Sequence, residues 1–206
     1  MVLCVAGCSE KPGSRSAILK LPSLPTIVSN DVPRKFIIAV TMMRLVLIET
    51  CKSSIKDLKC DFVIAIDPNP KSPPNAFQTM NEEGQPILSF TMILLTDMYN
   101  ADEIAFVIGY DAAHHILSHL DWQKGWSIDA ASNLSAAVGG RSSGEGARNY
   151  ELEVDRLSAH MALRAGLGPV LGVAYLMRIP DRRNKFPGSH LRNADRIAGV
   201  RAAVSQ

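Results

Sequence analysis

Residues 100–119 carry the pattern that most constrains the fold. Asn100 stands three residues before Glu103, a helix start with Asn100 as N-cap and Glu103 completing a capping box. From there Ala105, Ile108, Ala112 and Ile116 recur at three- and four-residue spacing, which predicts one apolar stripe along a helix of roughly five turns ending near His119. On the neighbouring face Tyr110 and His114 lie one turn apart, with Asp111 between them and His115 and His119 following.

A second helix is expected from Tyr150 through Met161 and Leu163, with a glycine stop at Ala165–Gly166. It carries Glu151 and Asp155, again one turn apart on one face. Upstream, the apolar run from Phe36 reads as a helix to Ile55 that is buried under the sheet, and Asp61 to Ile66 as an interior strand. A proline-rich loop from Asp67 to Pro74 follows. Asn75–Met80 and Gln85–Phe90 then read as a strand pair about the turn Asn81–Gly84, with Gly84 supplying a positive φ, and Met92–Met98 as a short helix. The class is therefore α+β, a small and mostly antiparallel sheet packed on helices. Between the two polar helices lie Trp122, Trp126, an alanine-rich helical piece from Ile128 to Val138 and the glycine- and serine-dense stretch Gly139–Gly146. That stretch reads as a flexible linker, with a lid as the alternative because it joins the two helices.

The order of these features resembles the gluzincin metallopeptidases related to the bacterial heat-shock protease HtpX and the CAAX prenyl endopeptidase. Gly109-Tyr110-Asp111-Ala112-Ala113-His114 is similar to the family's G-H-E-x-A-H, with tyrosine at the first histidine and aspartate at the glutamate. Glu151 to Asp155 resembles E-x-E-A-D with valine for alanine, and Asn75-Ala76-Phe77 the family's N-A-F strand. Ser189-His190 followed by Arg196-Ile197 resembles S-H-P…R-I, with Leu191 where proline is usual. The resemblance spans about 140 residues, Asp61 to Arg201. It implies a zincin-like domain with zinc as cofactor and Tyr110, His114 and Glu151 at the metal-ligand positions. Asp111 falls at the general-base position, and Asp155, His190 and Arg196 support the ligands from behind. The Asn75-Ala76-Phe77 strand would pair with an extended substrate.

With 206 residues and 47% hydrophobic composition, the chain suits one domain, residues 34–206, after an N-terminal segment of residues 1–33. Charge is nearly balanced at +2 without a basic stripe, which argues against nucleic acid. No apolar run reaches 18 residues, so no transmembrane helix is expected. Val5-Ala6-Gly7-Cys8 matches the end of a bacterial lipoprotein signal, although only seven residues precede Cys8 and none is basic. Residues 9–33 read as a tether. The expected location is the bacterial envelope, periplasmic and lipid-anchored at Cys8, or the cytoplasm if no signal is present. Cys51 and Cys60 would close a short disulfide loop in an oxidising compartment and remain thiols in a cytosol.

The chemistry of the motif is strict, because zinc takes two histidines from one helix face and the glutamate takes a proton from the bound water. A phenol is a poor donor, and ionising it at pH 7 costs about 4 kcal/mol before any metal bond forms. Asp111 is one methylene shorter than glutamate, a misplacement on the order of 1 Å that can cost about 10²-fold in rate. These changes predict a degenerate site and a pseudo-peptidase that binds proteins or peptides in envelope quality control. The alternative is an active zinc endopeptidase with non-standard ligation. Two further arrangements stay open: a shifted metal site on Asp111, His115 and His119, and an approach of His190 to the ligand position. His160 reads as a solvent-facing or internally satisfied histidine. Phe77 and Met80 read as core residues on a strand whose edge is open to an extended peptide.

Overall fold

The computed structural model describes residues 31–54, 58–117, 145–181 and 191–205. Along them run α1 (Val32–Ser54), β1 (Val63–Asp67), β2 (Ala76–Met80), β3 (Pro86–Thr91), α2 (Met92–Asp97) and α3 (Ala101–Ile116). Then come α4 (Glu145–Arg164), α5 (Pro169–Val173), a 3-10 turn (Ala174–Met177) and α6 (Asn193–Val204). Cys8 and the tether as far as residue 30, the tryptophan- and alanine-rich segment with most of the glycine-rich stretch, His119, Ser189 and His190 lie outside the described residues. Glu145 and Gly146, expected to end the glycine-rich stretch, instead open α4.

The α3 helix begins as the sequence indicates, with the Asn100 side chain accepting the Glu103 N–H at 2.9 Å. The reciprocal half of the capping box is redirected. Glu103 accepts the N–H of Tyr99, one residue before the cap, at 2.7 Å, and each of its oxygens takes a 2.6 Å bond from Arg178. With its side chain only 2% exposed, this carboxylate is too deeply buried for a main-chain donor alone, and the guanidinium supplies the compensating charge. Ala105, Ile108, Ala112 and Ile116 are fully buried, and so are Ile104 and Ala113. The helix is therefore enclosed on most sides, not along a single stripe.

α4 lies close against α3 because Gly109 has no side chain. A Cβ there would fall 2.7 Å from Ser158 Oγ and 3.2 Å from Ser158 Cα, while that hydroxyl donates to the Phe106 carbonyl at 2.7 Å. α4 stops at Gly166, whose φ is +76°. The Gly166 and Leu167 N–H groups close back on the Leu163 and Ala162 carbonyls at 3.0 and 2.9 Å, a Schellman ending that favours glycine.

The sheet is mixed, in the order β1-β3-β2, with β1 parallel and β2 antiparallel to β3. This corrects two expectations: the sheet is not mostly antiparallel, and the 61–66 run forms an edge strand while β3 is the interior one. The apolar character of β1 is explained by Ile64 and Ile66, which lie beside Leu88 and Phe90 on the face turned to the helices. Gly84 has the expected positive φ of 76°. Phe77, opposite Ser89, is on the outer face and Met80 is 48% exposed, so neither is a core residue as expected. The first helix is also buried on one side only, through Ala39, Met43, Val46, Leu47, Thr50 and Cys51.

Cys51, at the end of α1, and Cys60 are joined by a disulfide. The loop that it closes presents the Lys59 carbonyl to His115 Nε2 at 2.6 Å, and Phe62 meets the His115 ring edge-on at 5.4 Å. His115 thus braces α3 against the start of the sheet.

Gly109→Ala is expected to destabilise the protein by about 1 kcal/mol, because overpacking of about 1–3 kcal/mol outweighs a helix-propensity gain of up to about 1 kcal/mol. The urea midpoint should fall with the m-value unchanged.

Candidate functional site

Helices α3, α4 and α6 each bring polar side chains to one place. Asp155, on α4, is completely buried and takes a fork of two bonds from Arg196 on α6, at 2.8 Å from Nε and 2.6 Å from Nη2. The guanidinium carbon lies 4.6 Å from the centre of the Tyr110 ring, in cation–π range. Tyr110 in turn packs edge-to-face on His114, with ring centres 4.8 Å apart. Burial pulls Arg196 toward its neutral form, but Asp155, Tyr110 and Glu151 around it outweigh that pull and hold the guanidinium well above its ordinary pKa.

Tyr110, Glu151, Asp155 and Arg196, singled out from sequence on three separate segments, therefore meet around one guanidinium, and His114 adjoins them through its contact with Tyr110. Glu151 is 8% exposed and one of its oxygens accepts the Leu191 N–H at 3.2 Å, so the segment entering α6 closes over the carboxylate. His190 precedes that residue and lies outside the described residues. Asp111 is 5% exposed, on the buried side of α3.

His115 does not join this group. Its Nε2 is bonded to the Lys59 carbonyl and so carries a proton, which removes that nitrogen as a ligand for a shifted metal site. His160 is exposed on α4, as expected. Among the described residues, no three His, Cys, Asp or Glu side chains gather into a metal-binding group.

The Asn75-Ala76-Phe77 strand lies at the other edge of the sheet. Asn75 spends its carbonyl on the Thr91 N–H and its N–H on the Thr91 hydroxyl, both at 3.0 Å. By antiparallel alternation Phe77 and Thr79 then also bond inward to β3, and the main-chain groups of Ala76, Gln78 and Met80 face the edge that no described strand covers. Of the three residues expected to pair with substrate, only Ala76 presents its backbone outward. Gln78 shares the helix-facing side with Leu88, and both of its side-chain amide atoms are buried without a hydrogen-bond partner.

Two participants were missed from sequence. Ser158 lies one turn beyond Asp155 and sets the distance between α3 and α4, a role signalled only by its pairing with Gly109. Arg178 neutralises Glu103 from 75 residues away, and no local pattern announces it. No protein-family model matches the sequence, and no curated protein matches it.

Truncating Asp155 to alanine would leave the Arg196 charge buried alone, at a cost of about 3–5 kcal/mol. The double change Asp155→Leu with Arg196→Met should recover most of that loss. Urea unfolding of the two variants and the parent checks this, and a double variant as unstable as the single one would contradict it.

Proposed function

We propose that this chain is a zincin-like domain of the metallopeptidase type whose metal position has been rebuilt around a buried ion pair. It binds extended protein or peptide segments instead of hydrolysing them. The observation that supports the reading is that Tyr110 on α3 packs on both His114 and Arg196, while Arg196 also binds Asp155 and feels the charge of Glu151 on the facing α4.

The donors do not fit a tightly held zinc. His114 and Glu151 are ordinary ligands, but the third position holds a phenol that would have to lose its proton at a cost of about 4 kcal/mol at pH 7. A permanent cation lies against that same ring, and a divalent ion brought beside it would meet like charge. Binding of an extended segment needs none of this chemistry. The outward main-chain groups of Ala76, Gln78 and Met80 offer an edge to which a strand can add, and the buried amide of Gln78 lies beneath that edge.

The place of action on this reading is the bacterial envelope, with the chain exported and anchored through Cys8. The Cys51–Cys60 disulfide supports it, since such bonds persist in oxidising compartments. No described helix is long and apolar enough to cross a membrane.

The competing reading is a working zinc endopeptidase that uses His114, Glu151 and a third group, with Asp111 activating water. Calorimetric zinc titration separates the two. The parent should bind zinc weakly, and Tyr110→His combined with Asp111→Glu should tighten it by at least about tenfold. Parent protein that keeps about one zinc per chain through dialysis and cleaves an unfolded substrate in a chelator-sensitive way would favour the enzyme. Peptide binding has its own check. Ala76→Pro removes an outward N–H at the start of an edge strand, where proline is tolerated, and should abolish capture of an extended peptide while leaving the unfolding midpoint within about 0.5 kcal/mol of the parent.

A further inference from the structure

The 23-residue α1 has a second apolar face that no described residue covers. Ile37 is 61% exposed, Ile38 38%, Met42 37% and Leu45 69%. Their spacing places them on one side of the helix, opposite the buried Met43, Val46, Leu47 and Cys51. Exposed cations frame this stripe: Arg34 at its start, Arg44 on its flank and Lys52 in the last turn. The sole carboxylate within the helix, Glu49, is paired with Arg164 at 3.0 Å, Asp31 just before it accepts the Arg34 main-chain N–H at 3.2 Å, and among the described residues no carboxylate forms an ion pair with Arg34, Arg44 or Lys52.

We propose that this face of α1 lies on an anionic lipid bilayer. Ile37, Ile38, Met42 and Leu45 enter the boundary between headgroups and acyl chains, while Arg34, Arg44 and Lys52 meet the negative headgroups. The helix is not apolar enough throughout to span a bilayer, so it rests on the surface. A second copy of the chain is a poorer occupant. In an antiparallel two-fold pairing Arg44 would face Arg44 and Arg34 would face Lys52, whereas one anionic surface satisfies all three cations. The exposed apolar area, on the order of 400 Å², is also about half of what each partner contributes to a standard protein interface.

The test uses the full chain with Cys8→Ser, so that no acyl group contributes, in flotation with vesicles of phosphatidylcholine alone or mixed with phosphatidylglycerol. The protein should float with the anionic vesicles and be released as salt is raised. Ile37→Ser with Leu45→Ser should weaken that binding at least about tenfold without altering the melting curve. Arg44→Glu should weaken it about fivefold or more. The proposal is overturned if the parent floats with neither vesicle, or if the serine variant floats as well as the parent. It is also overturned if the parent fails to float and forms a concentration-dependent dimer that the serine changes dissolve, which assigns the face to a second copy.

Discussion

Everything at the candidate site depends on one buried charge. Arg196 can remain ionised in the interior only because Asp155 binds it through two hydrogen bonds and Tyr110 offers the face of its ring. These contacts fix α6 to both α4 and α3, with Glu151 beside the guanidinium and His114 against the Tyr110 ring. Leaving such a cation without its partner costs several kcal/mol, so the arrangement resists piecemeal change. On the proposed reading, the pair now supplies the attraction between helices that a divalent ion supplies elsewhere, and the tyrosine is a component of that pairing more than a damaged ligand.

A chain of smaller contacts holds α3 in position to serve this role. The Cys51–Cys60 loop delivers the Lys59 carbonyl to His115, Gly109 admits Ser158, and Arg178 neutralises Glu103 at the first turn. Each of these substitutes a specific polar bond or a missing side chain for loose apolar contact, which fixes the rotation of the helix as well as its burial. Rotation matters, because a turn of one residue would carry Tyr110 away from Arg196. The β2 edge is independent of all this, and its outward backbone groups would survive the loss of any metal.

Local signals in the sequence were sufficient where local chemistry decides the structure. The cap at Asn100, the four-position stripe of α3, the stop at Gly166 and the turn at Gly84 are each set by a few adjacent residues. They failed where the outcome depends on partners far along the chain. An apolar run such as residues 61–66 looks the same whether strands flank it on both sides or on one, so the edge position of β1 was not legible. The same ambiguity hid the open face of α1, since apolar residues spread round a helix read as burial on every side. Arg178, 75 residues from Glu103, has no sequence mark, and the Cys51–Cys60 bond turns on compartment as much as on spacing. At the site, spacing placed Tyr110 beside His114 and Glu151 beside Asp155. Only the family resemblance suggested that these two pairs, and Arg196, belong together.

Thermal unfolding of metal-free protein across a zinc titration bears most directly on the central claim that an ion pair has taken the metal's place. A ligand that binds only the folded state raises the midpoint by an amount fixed by its concentration and affinity. The account holds that added zinc, up to a hundredfold excess over protein, raises the midpoint by no more than about 2 °C over its value in chelator. A midpoint that climbs steadily with zinc would show that Tyr110, His114 and Glu151 still hold a metal, and the account would be wrong.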